Sequence, residues 1–322
     1  NSDLQWEKTE TFDINLETGF LNDLITVNAS YYLKRTKDLV SSITLPLSSG
    51  FESYRDNLGE LENKGFEIAF NYNNMITDGV FKGLQYNAGV YFDRSRNKLT
   101  KFGAEEIDGY KLRREGLPYN EYYMLECIGI FATEDEVKNS PKQFNDNTLP
   151  GDLKYKDQNN DGVIDNDDRI PMSGRFPGFE YSVNAGVSWK GFDLSLLGQG
   201  VSGKKWYTTD WGMQPFRQGS APTREYIEGM WTEENPYNAK HPRLYNDNLG
   251  GNKNTRANSY FLQSASYFRL KNLTFGYTLP KSVTDKVKMS KVRVYFSGDN
   301  LLTFTKYYGL DPERNDDGRA AQ

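Results

Sequence analysis

The feature that most constrains this chain is a repeated period-two alternation of apolar and polar residues. Phe66, Ile68 and Phe70, for example, alternate with mainly polar residues, which is the pattern of a strand with two chemically different faces. Eight such strands are predicted, at about residues 11–17, 25–34, 66–73, 84–93, 179–189, 192–196, 268–279 and 292–304. The pattern therefore predicts an all-β fold.

The connections between these strands alternate strictly between short and long. The short ones are 19–23, 74–82, 190–191 and 280–290, and the long ones are 39–60, 95–178 and 203–266. Compact soluble domains rarely contain long loops without secondary structure, whereas outer-membrane barrels combine short periplasmic turns with long extracellular loops. We therefore predict a transmembrane antiparallel β-barrel segment, with its polar face toward a lumen and its apolar face toward lipid. A soluble sandwich or propeller with long loops would alternate in the same way, and it is the alternative on pattern alone.

Aromatic residues are abundant, with 22 Tyr, 19 Phe and 5 Trp. Barrels place such residues in girdles at the two membrane interfaces. The residues near predicted strand ends that we expect in a girdle are Tyr31, Tyr32, Tyr91, Phe92, Tyr307 and Tyr308.

The composition excludes several other classes of protein. The chain has 39 Lys and Arg against 44 Asp and Glu, so it lacks the basic character of a nucleic-acid-binding protein. Its single cysteine, Cys127, allows no disulfide framework within the chain. No run of eighteen apolar residues occurs, which excludes a helical membrane protein. Because the chain begins Asn-Ser-Asp without an apolar leader, we expect an interior piece of a longer precursor.

One loop has the ligand spacing of an EF-hand calcium site. Oxygen-bearing side chains occupy loop positions 1, 3, 5 and 9, and Gly162 stands at position 6, where calcium loops turn sharply. An aspartate ends the loop where a bidentate glutamate is usual, and the flanking residues do not form a helix pair. We predict a structural Ca²⁺ ion, with an ion-free Asn/Asp/Gly turn as the alternative. The predicted ligands are Asp157, Asn159, Asp161, Val163, Asp165 and Asp168.

No set of residues indicates catalysis, so we do not expect an enzyme. His241 lies in a turn-like setting that predicts exposure, and Cys127 lies on an apolar run that predicts packing rather than reactivity. The long loops instead contain aromatic residues that could stack on sugar rings or pack internally. The predicted substrate-binding candidates are Trp206, Tyr207 and Trp211. Two short helices are predicted within these loops, at 134–137 and 223–230.

The C-terminal part resembles a barrel hairpin of the SusC/RagA family of TonB-linked (TonB-dependent) outer-membrane transporters. The resemblance lies in SYFRLKNLTFGYTLP at 266–280, VRVYFSGDNL at 292–301 and YGLDPE at 308–313. Further segments match the family in order along the chain, namely 3–7, 151–155 leading into the Asp157 loop, 190–194 and 242–244. The match covers essentially the whole chain.

The resemblance implies a C-terminal portion, residues 1–322, of a barrel of about 22 strands in a Gram-negative, Bacteroidetes-like outer membrane. Extracellular loops are then expected at about 39–60, 95–178, 203–266 and 305–322. The signal peptide, the plug domain, the contact with TonB-ExbB-ExbD and the last strand are expected outside this chain, because an open barrel would expose unpaired edges to lipid.

The implied function is import of nutrient oligosaccharides together with a SusD-like surface lipoprotein that closes over the extracellular loops. Import of peptides by the same kind of machinery is the first alternative. A soluble calcium-dependent carbohydrate-binding β-protein is the second, and a surface receptor barrel that binds without importing is a third.

Overall fold

The structure is a computed structural model that describes residues 4–44, 47–51, 53–144, 147–208, 214–216, 221–245 and 253–314. Eight long strands, numbered with the loop strands in chain order, are β1 (Lys8–Phe20), β2 (Ile25–Thr44), β3 (Ser53–Met75), β4 (Gln85–Lys101), β13 (Phe179–Trp189), β14 (Phe192–Ser202), β17 (Tyr267–Thr278) and β18 (Arg293–Thr305). They form one antiparallel sheet in the order β1-β2-β3-β4-β13-β14-β17-β18, which confirms the predicted barrel segment and its strand number.

Tight reversals join the strands at one end of the sheet. Lys190 and Gly191 both have positive φ, at 48° and 89°, and form the two-residue connection between β13 and β14. Such a turn matches the twist of the strands that it joins, and glycine adopts the second position without a Cβ penalty.

The loop predicted at 39–60 is largely strand, so its predicted bounds are too wide. β2 continues to Thr44 and β3 begins at Ser53, with pairing preserved across irregularities between Thr36 and Val40. Asp38 has φ of 58° at this point. A bulge of this kind shifts the alternation of side chains, which removes the hydrophobic signal while the backbone hydrogen bonds continue. Similarly, β4 continues to Lys101, inside the loop predicted to begin at residue 95.

The register assigns a face to each side chain. Phe66, Ile68 and Phe70 pair with Arg94, Phe92 and Val90, so these residues share the face that we call the outer face. The opposite face, which we call the lumen face, carries polar residues that include Asn71 and Asn184.

A row of aromatic rings crosses the outer face near the end of the sheet that carries the long loops. Neighbouring ring centroids are 5.2 to 6.5 Å apart. The ring row consists of Phe66, Phe92, Phe179, Tyr181, Phe268 and Phe304. Its position matches an aromatic girdle at the outer membrane interface.

Of the six predicted girdle residues, only Tyr31 and Phe92 lie on the outer face. Tyr32 and Tyr91 pair with Gly65 and Ala69 on the lumen face, because successive residues of a strand point to opposite sides. Tyr307 is buried among the loops. Tyr308 bonds to the Thr223 hydroxyl at 3.1 Å, also within the loops.

The loops contain their own short elements. The strands are β5 (Glu106–Asp108), β6 (Lys111–Arg113), β7 (Glu121–Leu125), β8 (Cys127–Ile130), β9 (Lys142–Gln143), β10 (Leu153–Tyr155), β11 (Val163–Ile164), β12 (Arg169–Met172), β15 (Lys205–Tyr207) and β16 (Leu262–Ser264). The helices are α1 (Glu134–Lys138), α2 (Arg224–Gly229) and α3 (Lys281–Thr284), and the 3-10 helices are Leu47–Ser49, Asn166–Asp168, Ser259–Phe261 and Asp285–Val287. The first two helices confirm the predictions at 134–137 and 223–230.

Most of the buried side chains lie in these loops. One loop core consists of Leu125, Leu153, Tyr155 and Ile164, and a second consists of Trp206, Ala265 and Tyr307. None of the helices in the described ranges is both long and apolar enough to cross a bilayer.

Candidate functional site

The predicted calcium loop is anchored on the first loop core. Ile164 is buried in that core, and β11 pairs with β9 in parallel. The Gln143 side chain accepts a hydrogen bond from the Tyr155 backbone at 2.8 Å and donates one to the Leu153 carbonyl at 3.0 Å. The loop that begins at Asp157 therefore starts and ends in packed structure.

The carboxylates of this loop organise its backbone. Asp157 accepts hydrogen bonds from the backbone N–H groups of Asn160 at 2.6 Å and Gly162 at 3.0 Å. Asp168 is fully buried and accepts from Gln158 at 2.7 Å and Asp165 at 2.8 Å. Gly162 has φ of 85°, which an L side chain adopts only with strain.

Asn159 and Asp161 complete the arrangement, because the Asn159 amide donates to the Asp161 carboxylate at 3.0 Å. Across the part of the chain that is described, no group of three or more His, Cys, Asp or Glu side chains is arranged to hold a metal ion. The calcium site therefore stays a prediction.

Trp206 lies in the second loop core and is only 5% exposed. Its indole N–H donates to the Pro312 carbonyl at 3.0 Å. The Lys204 ammonium is 4.2 Å and the Arg314 guanidinium 5.3 Å from its ring centroid. Trp206 therefore packs internally, which is the alternative to stacking on a sugar ring.

Tyr207 also packs within the loops, with its ring centroid 4.4 Å from that of Tyr110. It is partly buried. The third candidate, Trp211, lies outside the described residues. A substrate contact at these positions stays a prediction.

An ion-pair network that the sequence did not predict fixes the segment after β18 to the lumen face. Arg269 is buried on β17 and donates to Asp311 and Glu313, both at 2.7 Å, and to Thr303 at 2.9 Å. Lys271 also contacts Glu313 at 2.7 Å. Burial alone would raise the pKa of Asp311, but the hydrogen bonds from Arg269 and the Glu313 backbone N–H, together with the positive charges of Arg269 and Lys271, outweigh burial and lower that pKa. The network thereby holds the segment 308–313 against the lumen face of the sheet.

Three carboxylates face the lumen side by side below this network. Glu67 pairs with Asp93 across β3 and β4, and Asp93 pairs with Glu180 across β4 and β13. Like charges in directly opposed positions repel each other, so this row destabilises the isolated sheet. The row makes this stretch of the lumen wall strongly acidic.

His241 is half-buried rather than exposed, so the prediction of exposure was wrong. Its ring stacks on Tyr226 with centroids 4.6 Å apart, and its Nδ1 lies 2.6 Å from the Tyr260 hydroxyl. Burial lowers the pKa of His241. The local sequence could not indicate this burial, because both partner rings come from other parts of the loop.

Cys127 packs beside the first loop core, as predicted. Burial raises the pKa of its thiol to about 11, so the thiolate is scarce at neutral pH.

The outer and lumen faces, together with the large loops at one end, are the features of a segment of a transmembrane β-barrel. The chain belongs to the family described as "TonB dependent receptor-like, beta-barrel", whose model matches residues 1–301. It is an outer-membrane protein, and membership of this family decides between the barrel and the soluble β-protein in favour of the barrel.

Individual relatives agree with this assignment. The chain is 30% identical to TonB-dependent receptor P26 of Formosa agariphila over 99% of its length, which is 32% of that receptor. It is 26% identical to TonB-dependent receptor SusC of Bacteroides thetaiotaomicron over 97% of its length, which is 30% of SusC.

Among solved structures, the RagAB peptide transporter matches 97% of the chain with a TM-score of 0.77 and 24% identity, over 33% of the transporter chain. At that identity the match establishes the fold alone. The chain thus spans about a third of the length of the relatives that it matches.

Proposed function

We propose that this chain is part of the barrel wall of an importer that takes up oligosaccharides across the outer membrane with energy from TonB. The observation that carries the proposal is the match to TonB-dependent receptors along essentially the whole chain. The preference for sugars rests on exposed aromatic rings in the loop region, of which Tyr237 is 76% exposed. Aromatic rings of this kind offer flat apolar faces for sugar rings.

The parts of the chain suit transport without catalysis. The outer face meets lipid, and the lumen face offers hydrogen-bonding and charged groups to a hydrated path. The loop cores give the extracellular end a fixed shape. Substrate specificity then depends on side chains at the loop surface rather than on a reacting group.

Two partners are part of the proposal. A SusD-like surface lipoprotein would cover the extracellular loops and retain the ligand, as the resemblance to SusC implies. Contact with TonB-ExbB-ExbD would lie in regions outside this chain. Both partners act on the full-length protein that contains this barrel segment.

Growth of the native host tests the proposal. A strain without the full-length gene is grown on a panel of purified oligosaccharides and a panel of peptides, each as the sole carbon source. We expect loss of growth on at least one oligosaccharide, restored by the intact gene. Unchanged growth on every oligosaccharide would contradict the proposal.

Peptide import is the second candidate, favoured by the match in fold to the RagAB peptide transporter. Loss of growth on peptides with normal growth on every sugar would establish this candidate instead. The two candidates share the barrel, the surface lipoprotein and the energy source. They differ only in the substrate, which is why the test uses one panel of oligosaccharides and one of peptides.

We also propose that the Asp157 loop binds one structural Ca²⁺ ion. The donor set consists of oxygen atoms, which Ca²⁺ prefers, and the glycine at the turn has the required conformation. Elemental analysis of the full-length protein after calcium dialysis compares the wild type with Asp161→Ala, and Asp167→Ala serves as a matched control outside the predicted ligands. We expect loss of about one Ca²⁺ in Asp161→Ala only. Equal calcium content in all three proteins would refute the site.

A further inference from the structure

The outer face changes abruptly from apolar to charged on four neighbouring strands. On each strand, the outward residue that follows the last apolar one toward the long loops is ionisable. The four steps are Phe12 to Glu10 on β1, Leu33 to Arg35 on β2, Phe66 to Lys64 on β3, and Phe92 to Arg94 on β4. A boundary this sharp, on adjacent strands, marks the level at which hydrocarbon gives way to polar headgroups.

Basic residues predominate just beyond this boundary. Arg94, Arg96 and Lys98 stand at every second position of β4, so they share the outer face. Arg96 pairs with Lys64, and Lys98 pairs with Glu62, which itself pairs with Arg35. We call the five basic residues, namely Arg35, Lys64, Arg94, Arg96 and Lys98, the basic patch.

Two members of the basic patch share one carboxylate as their ion-pair partner. Glu62 contacts Arg35 at 3.1 Å and Lys64 at 3.0 Å. Arg94, Arg96 and Lys98 are exposed, and in the part of the chain that the structure describes their side chains have no hydrogen-bonding or ion-pair partner. Three cationic groups therefore stand free on one surface of a chain whose net charge is −5.

A groove of about 380 Å³ adjoins the patch, between β4 and residues 173–177. Lys64, Arg96 and Lys98 line it together with Phe176, Pro177 and Glu62. Glu121 also lines the groove, and its burial raises the pKa of the carboxyl, which favours the neutral form. The groove is large enough for a polar headgroup, and its lining combines cationic and apolar groups.

The position of the patch limits what it can bind. It continues the lipid-facing band and lies directly beyond the ring row at Phe66 and Phe92. The basic side chains themselves lie on the outer face rather than on the lumen face. The phosphates of outer-leaflet lipids lie at this depth, and guanidinium groups bind phosphate with charge-assisted, often paired, hydrogen bonds.

We propose that the basic patch and its groove bind the phosphate-bearing headgroup of an anionic lipid of the outer leaflet. Arg94, Arg96 and Lys98 would contact the phosphate, while the ring row and Phe176 would contact the acyl chains and the apolar part of the headgroup. This site goes beyond the transport function, since it anchors one sector of the wall to the membrane. It does not depend on which substrate is carried.

The test measures lipid binding to the full-length protein in a neutral detergent. The probe is monophosphorylated lipid A, with the same lipid lacking its phosphate as the comparison, and binding is followed by native mass spectrometry. We expect R94Q/R96Q/K98Q to weaken binding of the phosphorylated probe about 100-fold in total, since each basic group near an anionic headgroup contributes a factor of about five. The matched control, K82Q/K286Q/K291Q, removes the same charge at the opposite end of the sheet and should change binding by less than about threefold.

Several results would overturn the proposal. Equal binding of the lipid without phosphate would exclude phosphate recognition, and equal loss in both triple variants would show a general charge effect. If inorganic phosphate displaced the lipid at concentrations similar to those at which the lipid binds, the site would be one for the free anion rather than for a lipid.

Two measurements remain informative if the triple variant assembles poorly. Binding to the wild type should fall steeply as salt is raised, and R94K/R96K should retain it within about threefold because the charges remain. Binding that is insensitive to salt would contradict the proposal.

Discussion

The membrane sheet and the extracellular loops are stabilised in different ways. On the outer face of the sheet, large apolar side chains such as Phe70, Val90 and Phe275 are about half exposed. In the loops, Leu125, Leu153 and Ile164 are almost completely buried. The sheet depends on backbone pairing and on lipid as its solvent, whereas the loops depend on close packing, as a soluble domain does. Substitutions should therefore have different consequences in the two regions.

The largest expected effect is in the loops. Leu153→Ala removes a fully buried side chain from the first loop core and should lower local stability by about 2 to 5 kcal/mol. Hydrogen exchange of residues 121–170 in the full-length protein measures this loss. The control, Val90→Ala, changes a lipid-facing side chain and should cost about 0.5 kcal/mol or less. Equal effects at the two positions would remove the distinction between the regions.

A charge on the outer face should disturb the sheet without disturbing the loops. Phe70→Arg places a guanidinium among lipid-facing residues and should cost about 2 to 4 kcal/mol if it lies near the bilayer midplane. Asn73→Arg, on the lumen face of the same strand, should be tolerated. The yield of folded protein, read from its heat-modifiable electrophoretic mobility, compares the two. If Asn73→Arg were the more harmful, the assignment of the faces would be reversed.

The link between the two regions is the network around Arg269. Arg269→Met leaves Asp311 without its cationic partner and should loosen residues 306–314 by about 2 kcal/mol. The control, Arg224→Met, breaks an exposed pair with Glu228 on α2 and should cost only a few tenths of a kcal/mol. Limited proteolysis near residue 310 distinguishes them, and equal cleavage rates would contradict a role for the network.

This network should also weaken in acid. Because the pKa of Asp311 is lower in the folded protein, its ionic contact stabilises the fold above the unfolded pKa, near 3.9. The contribution is lost as pH falls below that value.

The smallest effect concerns His241. Since burial lowers its pKa, the neutral ring stabilises the loop, and this contribution declines as pH falls below the unfolded value of about 6.5. After correction for the intrinsic exchange rate, which itself falls with pH, the opening equilibrium of residues 226–241 should rise a few-fold between about pH 7.5 and pH 5.5, and His241→Gln should abolish that change. An unchanged pH response in the variant would show that another group is responsible.

The sequence predicts the sheet better than the loops for a physical reason. Residues such as Phe66, Ile68 and Phe70 repeat with the period of a strand, so local pattern indicates both the strand and its faces. That pattern fails at the bulge near Asp38, which is why the loop at 39–60 was predicted too long. Adjacent tyrosines at 31 and 32 were both assigned to the girdle, although the strand period allows only one of them to face lipid.

The loop contacts have no comparable local pattern. Arg269 meets Asp311 across 42 residues, and Trp206 meets Pro312 across 106. Contacts of this range depend on how the chain returns over the barrel, which hydrophobic periodicity does not encode. The motif at 308–313 was visible in the sequence, but its role as the partner of Arg269 required the structure.

Uptake into intact cells tests the central claim most directly. A fluorescent derivative of the oligosaccharide that supports growth through the full-length protein is supplied to native cells with and without a functional TonB. We expect energy-dependent accumulation that requires both the full-length protein and TonB. Surface binding without accumulation, or accumulation that is unchanged when TonB is removed, would contradict the account and leave a receptor or a passive pore in its place.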